Sequence, residues 1–439
     1  MTSHGVLDSR IVQLARTISE SVAKIDAALE ASGQPSPSFD EDAPVGCLAD
    51  VSDAQDAVLD ATAELHDLFL EPVHLIKKHG GSNNSVCLQA ISRYGIANLV
   101  PLGGQASFAE LASQTGVGEQ MLTRLLRHAM TMRIFHEPQP GQVAHTKASK
   151  VIAGSHMNAW LRIGTHEMWP AATKMLDALE KWPGSQEPNE TGFSLSQNST
   201  QSIYDFVGSS PERGARFAEA MAIWASRPDY TPTHAVNGYD WASLAGSDGE
   251  GRRVIQVVDV GGARGHIATA LAQQFLHLNI VVQDMDKVVE GAEADLPESL
   301  RSGGRVRFMA HDLFAPQPII AGVYFFRWIL HNWADKYCIA ILRAHVHVFA
   351  PGTRIIVMET IMPDPNEGPN GAGAVPGWAE KDLRSEDLNM GAVFNARERT
   401  LSEWKALFAD ADAGLILKAV NRPKGSALSL MELEWTPQH

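Results

Sequence analysis

The 439-residue chain is poor in cysteine: Cys47, Cys87 and Cys338 are all it has. Three widely spaced thiols make neither a disulfide framework nor a zinc site, and a reducing cytosol suits them. Long apolar runs are also missing. No uninterrupted stretch approaches the ~20 residues that a membrane helix needs. The opening MTSHGVLDSR lacks the basic-then-apolar pattern of a secretion signal. Positive charge is short too: 36 Lys and Arg stand against 51 Asp and Glu, a formal net charge of −15. Surfaces that bind nucleic acid are basic, so that class of partner is not expected. What remains is a chain of 44% hydrophobic and 20% charged residues. That make-up describes a soluble globular protein, long enough for two or three cores.

The most informative stretch is Val254–Ala270, VIQVVDVGGARGHIATA. A β-branched run ends at Asp259, a glycine-rich turn follows, and a helical pattern starts near His266. Such a turn lets backbone N–H groups approach a ligand closely. From Arg253 onward, strand and helix patterns alternate. Strands are predicted over 254–260, 279–283, 306–310, 322–326, 354–359, 416–420 and 428–434, with helices between the first five. The alternation predicts an α/β fold with a doubly wound, mostly parallel sheet. NRPKGSA (421–427) leaves little room for a helix, so the last two strands should form a hairpin with one antiparallel edge strand.

Ligands of such sheets sit beyond the carboxyl ends of the strands. The first strand is followed by Gly261, Gly262 and Gly265. Asp284 comes 19 residues after Gly265, near the ~20-residue gap of an acidic ribose partner. Asp312 follows the third strand, Arg327, Trp328 and His331 the fourth, and Glu359 ends the fifth. Glu398 lies beyond a Gly/Pro-rich loop. The glycines do not spell G-x-G-x-x-G, so a dinucleotide is disfavoured against another adenosine cofactor. No metal-ligand cluster is visible.

The N-terminal half carries less chemistry. Residues 5–32 repeat at helical spacing, and 32–46 reads as a mobile Pro/Ser/acidic linker. A second helix is predicted from Ser52 or Asp53 to about Lys78. Residues 107–154 read as helix–turn–helix followed by a hairpin over Ile134–His136 and Val143–His145. That winged-helix pattern carries only Arg124, Arg127, His128 and Arg133 as cations. A packing or dimer module is therefore favoured over a DNA-binding regulator. Residues 155–245 are helical and rich in aromatics.

From about Arg253 to its end the chain resembles the class I S-adenosylmethionine-dependent O-methyltransferases of the caffeic acid and flavonoid type. The closest likeness is to their fungal secondary-metabolite branch. The stretches that carry it are VVDVGGARG, VVQDMDKVV, RWILHNWADKYCIAILRAHVHVFAPGTRIIVMETIMP and DLNMGAVFNARERTLSEW. The resemblance implies a Rossmann-like catalytic domain over 246–439 and a helical substrate-covering region over 155–245. It implies dimerisation elements over 1–105 and 106–154, hence a homodimer. S-adenosylmethionine would bind through Asp259, Gly261, Gly262, Gly265 and Arg327. Asp284 and Met285 would meet its ribose side, Asp312 and Leu313 its adenine. His331 would be the general base, oriented by Glu359 and Glu398. Trp328, Asn332, Lys336 and Met390 would line the pocket of a small aromatic or polyketide-type acceptor. Ala263 replaces a third loop glycine, and Asn332 stands where the family usually has aspartate.

The same branch includes pericyclases that bind the cofactor without consuming it. In that alternative Arg327, His331 and Lys336 would hydrogen-bond a substrate carbonyl.

Overall fold

The computed structural model describes residues 8–44, 46, 49–245, 254–368 and 371–437. Cys47 and the expected domain boundary at residue 246 lie outside them. The chain divides into two compact units. One takes in the residues up to Pro170 together with Ser210–Ile223 and Val375–Arg384. The other comprises Ala171–Ser209, Trp224–Ala374 and the residues from Ser385 onward.

The second unit is built on a seven-stranded sheet. We number its strands β1 (Ile255–Val260), β2 (Leu278–Asp284), β3 (Val306–Ala310), β4 (Val323–Arg327), β5 (Arg354–Glu359), β6 (Leu415–Asn421) and β7 (Ser429–Trp435). Their order across the sheet is β6-β7-β5-β4-β1-β2-β3. β3, β2, β1, β4 and β5 pair in parallel. These strands are near-continuous apolar runs because both faces of the sheet are covered. Alternate residues feed two cores. Val257, Val323, Phe325, Ile356 and Met358 pack on one face with helix α1 (His266–Gln274). Val258, Val260, Tyr324, Phe326, Ile355 and Val357 pack on the other. Helices α2 (Asp335–Val346) and α4 (Leu401–Ala411) cover that second face. Each large side chain buried in this way contributes roughly 1.5–3 kcal/mol.

Two expectations for the sheet need correction. The antiparallel strand is not at the edge. β7 pairs antiparallel with both β6 and β5, so it lies one strand in, and β6 is the edge. The hairpin folds back so that SLMELEW takes the inner place, and Leu430, Met431 and Leu433 are buried there. The connection from β3 to β4 also holds no helix. Residues 311–322 include Pro316 and Pro318, which cannot donate to a helical ladder.

In the first unit, Arg10–Ser32 and Ser52–Leu68 are helices. The second was predicted to reach Lys78. It stops at Leu68, and a new helix begins at Pro72, where the ring removes an N–H that an uninterrupted helix would use. The middle of the segment expected to be a mobile linker makes contacts with the rest of the unit. Lys147 N–H donates to Phe39 O at 3.2 Å, and Gly103 N–H donates to the Glu41 carboxylate at 2.9 Å. Helices Phe108–Thr115 and Glu119–Thr131 meet at Gly116, whose φ of +71° suits glycine. The following hairpin differs from expectation. Gln142–Ala144 pairs mainly with Gln105–Ser107, a strand ahead of the helices, and bridges the predicted His136 only at Ala144. Of the cations noted above, Arg127 forms a bidentate pair with Glu137, and Arg133 lies over the Phe39 ring.

Candidate active site

The direction of strand succession reverses at β1, and the chain turns tightly as it leaves that strand. Gly261 and Gly262 N–H groups donate to Gln283 O at 2.7 and 3.2 Å. Gly261 and Gly265 have φ of +71° and +72°. A Cβ on Gly261 would come within 2.3 Å of Ile329 Cδ1, and one on Gly262 within 2.4 Å of Asp259 Oδ2. Neither position has room for a side chain. Ala263 also adopts positive φ, +49°, which costs an L-residue roughly 1–2 kcal/mol. Its N–H donates to Asp284 Oδ2 at 2.9 Å, and Met285 N–H donates to Oδ1 at 2.8 Å. Two backbone donors thus fix the Asp284 carboxylate, and each oxygen keeps a lone pair for a further donor. Burial holds Asp284 above the usual carboxylate range.

Beside this turn lie a buried carboxyl and a half-buried guanidinium. Asp259 is 4% exposed. Burial, opposed by the nearby Arg327 guanidinium, pushes it up to about 7. Arg327 donates through Nη2 to Tyr230 O at 2.7 Å and sits over the Trp328 ring. Asp259 Oδ2 and Arg327 Nε are both buried without a hydrogen-bond partner.

The chain leaves β4 through Trp328, whose φ of +59° is a strained value for so bulky a residue. Asn332 Nδ2 donates to Trp328 O at 3.1 Å, so this side-chain amide closes the turn. The Trp328 and His331 rings lie parallel, at 4° with centroids 6.0 Å apart. Tyr230 also packs against Trp328, with a centroid distance of 4.4 Å and 34° between the rings. His331 Nδ1–H donates to Glu398 Oε1 at 2.7 Å, with both side chains nearly buried. Burial alone would lower the His331 proton affinity; the Glu398 and Glu359 carboxylates outweigh it and push the imidazole up to about 9.

Glu359 acts differently from expectation. It does not hold the imidazole. Its Oε1 accepts the N–H groups of Ile329, Leu330 and His331 at 2.9, 2.8 and 3.4 Å. It orients His331 through the backbone, whereas Glu398 touches the ring. Burial raises the Glu359 carboxyl well above its ordinary value.

The remaining expected residues divide. Asp312 Oδ1 accepts Phe314 N–H at 3.0 Å, and His311 N–H ties the same loop to Asp284 O at 3.0 Å. Leu313 packs partly buried beside it. Met285 is 60% exposed. Met390 is buried on helix α3 (Gly377–Phe394). Lys336 does not join the site. It is exposed on the first turn of α2, paired with Glu187, with its ammonium over Tyr337.

Sequence reasoning missed three contributors. Arg399 stands in the charged run NARERT directly after Glu398, yet it is fully buried. Gln283 and Gln317 exchange reciprocal amide bonds at 2.9 and 2.8 Å, joining the end of β2 to the helix-free crossover. A glutamine inside the apolar run IVVQD was the available signal. Tyr230 supplies both a carbonyl and a ring from far upstream, and no local pattern marks it.

The turn suits S-adenosylmethionine: a cradle that Cβ atoms would fill, a fixed carboxylate for ribose hydroxyls, and an orphaned buried carboxylate oxygen for an ammonium. Comparison with known proteins agrees. An O-methyltransferase domain model matches residues 244–414, and an O-methyltransferase dimerisation domain model matches residues 78–155. The chain is 42% identical over 426 residues to the O-methyltransferase PaMT of Phomopsis amygdali, covering 97% of this chain and 96% of that one. Among solved structures it resembles one described as a pericyclic reaction enzyme (TM-score 0.73, 22% identity, 95% of this chain and 100% of that one). LepI in complex with S-adenosylmethionine is similar to the same extent (TM-score 0.72, 22% identity, 95% and 100%). Those two likenesses concern the fold. The near full-length identity decides the family: this chain belongs to the O-methyltransferases.

Proposed function

We propose that the enzyme transfers the methyl group of S-adenosylmethionine to a hydroxyl of a small aromatic or polyketide-type metabolite. The observation that carries this reading is the buried His331–Glu398 pair beside the glycine turn. S-adenosylmethionine supplies an already activated methyl group. The chain's own work is to align two reactants and remove a hydroxyl proton. Asp284 would hold the ribose hydroxyls, Asp259 the ammonium, and Asp312 with Leu313 the adenine end. His331 would accept the acceptor's proton at Nε2. Glu398 fixes the tautomer and stabilises the resulting imidazolium. The rings of Trp328 and Tyr230 beside His331 offer apolar aromatic surface to a planar acceptor. The enzyme would work in the cytoplasm as a homodimer assembled through its N-terminal region, which includes the matched residues 78–155.

A second reading has one observation in its favour. An imidazole pushed up to about 9 is a cation at neutral pH, and a cation can donate to a substrate carbonyl. Lys336 and Arg327 no longer support that role, since Glu187 holds the first and Tyr230 O the second. Mass spectrometry of reactions with phenolic and polyketide acceptors plus S-adenosylmethionine separates the two readings. We expect a product heavier by one methyl, with S-adenosylhomocysteine forming in step. An isomeric or dehydrated product with the cofactor unspent would overturn methyl transfer in favour of pericyclic chemistry.

A further inference from the structure

Arg399 is 0% exposed, and none of the chemistry above uses it. Its guanidinium donates to Trp333 O at 2.9 Å through Nη2 and to Leu330 O at 3.4 Å through Nη1. Nη2 and Nε also reach Asp335 Oδ1 at 2.7 and 3.0 Å. The plane of the group lies over Trp404, 5.0 Å from the ring centroid. Burying a guanidinium costs several kcal/mol unless it is paired and hydrogen-bonded. Asp335 meets the charge; the carbonyl contacts are additional and point elsewhere. Leu330 opens the short turn Leu330–Asn332 that presents His331, and Trp333 follows it. On the other side, Arg399 follows Glu398 directly in sequence, and its backbone is pinned by pairing with Ile361.

We propose that Arg399 is a positioning residue for methyl transfer. It fixes the spacing of His331 and Glu398 by tying the carbonyls of the histidine turn to the segment that carries the glutamate. This inference rests on the reading of His331 as base and Glu398 as its orienting carboxylate. The fork geometry is what matters: lysine would keep the charge against Asp335 but could not span both carbonyls and the carboxylate at once. Arg399 also acts on the base through its charge. It opposes the proton affinity that Glu398 and Glu359 give His331, and these are the charged groups that bear on the imidazole.

The test uses the full-length enzyme carrying Arg399→Lys, with Glu398→Gln and His331→Gln as references. A proton shared between His331 Nδ1 and Glu398 should give a strongly deshielded resonance in one-dimensional proton NMR, absent from both references. We expect Arg399→Lys to lose that resonance while binding S-adenosylmethionine normally by calorimetry. We expect its kcat on the acceptor identified above to fall about 100-fold, the scale of an ångström-sized misplacement, with KM little changed. In the double variant Arg399→Lys/Glu398→Gln, kcat should be no lower than in Glu398→Gln alone. A folded lysine variant that keeps resonance and kcat would overturn the proposal, as would multiplicative losses in the double variant. A wild-type enzyme without the resonance would instead overturn the His331–Glu398 reading. Should Arg399→Lys fail to fold, Asp335→Asn decides. It leaves the carbonyl contacts in place, so the resonance should persist; its loss would show that the ion pair, not the fork on the carbonyls, matters.

Discussion

At the scale of single residues, the pH dependence of the reaction turns on His331. Its proton affinity lies above the ordinary value near 6.5, pushed up to about 9 because two carboxylates outweigh burial. A base must start neutral. Below about pH 9, kcat/KM for the acceptor should therefore rise tenfold per pH unit and then level off. His331→Gln should lower kcat by about 10²–10⁴ and leave S-adenosylmethionine binding intact. A profile that falls above pH 9 would identify the imidazolium as the working form and sink the general-base role. Stability follows the same group with the opposite demand. A histidine whose folded value is raised adds stability that is fully present below about pH 6.5 and is lost as pH rises through about 9. His331 and Glu359 stand out in the sequence as polar residues at and after apolar strands, and the family resemblance singles out Glu398 with them. Their division of labour was not legible. Whether a carboxylate meets the ring or the backbone beneath it depends on loop geometry, and so does the burial of Arg399 one residue from Glu398.

At the scale of elements, the glycine turn is the most constrained segment. Gly262 illustrates why. Its φ is ordinary, yet an added Cβ would lie 2.4 Å from Asp259 Oδ2, 2.5 Å from Asp259 Cγ and 2.8 Å from Val282 Cγ1. Overpacking of this kind costs typically 1–3 kcal/mol, and here it would displace the carboxylate proposed for the cofactor's ammonium. Gly262→Ala should weaken S-adenosylmethionine binding by about tenfold or more, a loss of roughly 1.4 kcal/mol or greater. Calorimetry that finds an unchanged Kd would remove both the steric argument and the Asp259 assignment. Every strand of the sheet was legible to within a residue or so, because a parallel sheet covered on both faces writes itself as apolar runs. Strand order was less so. The sequence pattern marks a closing hairpin, but which of its strands lies inside is settled by burial across the sheet. The helix-free crossover was misread for a related reason: its Pro-containing loop is held by the Gln283–Gln317 amide pair, a contact between residues 34 positions apart.

At the scale of the whole molecule, the first unit leaves a stripe that water does not favour. Phe69, Val73 and Ile76 are 71%, 71% and 75% exposed. Val73 and Ile76 sit three residues apart on the helix Pro72–His79, on one side of it. The dimerisation match begins at residue 78, at the end of that helix. Apolar side chains exposed close together in this way mark a candidate interaction surface. A stable interface removes about 800 Å² from each partner, more than three side chains supply, so the stripe would be one part of a larger contact. The chain mass is 47.6 kDa, and light scattering on the purified enzyme should return twice that value. Val73→Asp with Ile76→Asp places two charges where the partner's apolar surface should lie. The pair should shift the enzyme toward the single-chain mass at micromolar concentration. Because both side chains are exposed within the chain, the fold of each unit should survive, and S-adenosylmethionine should still bind. A wild-type enzyme of single-chain mass would refute the homodimer. A double variant that keeps twice the chain mass would place the contact away from this helix, on some other face of the first unit.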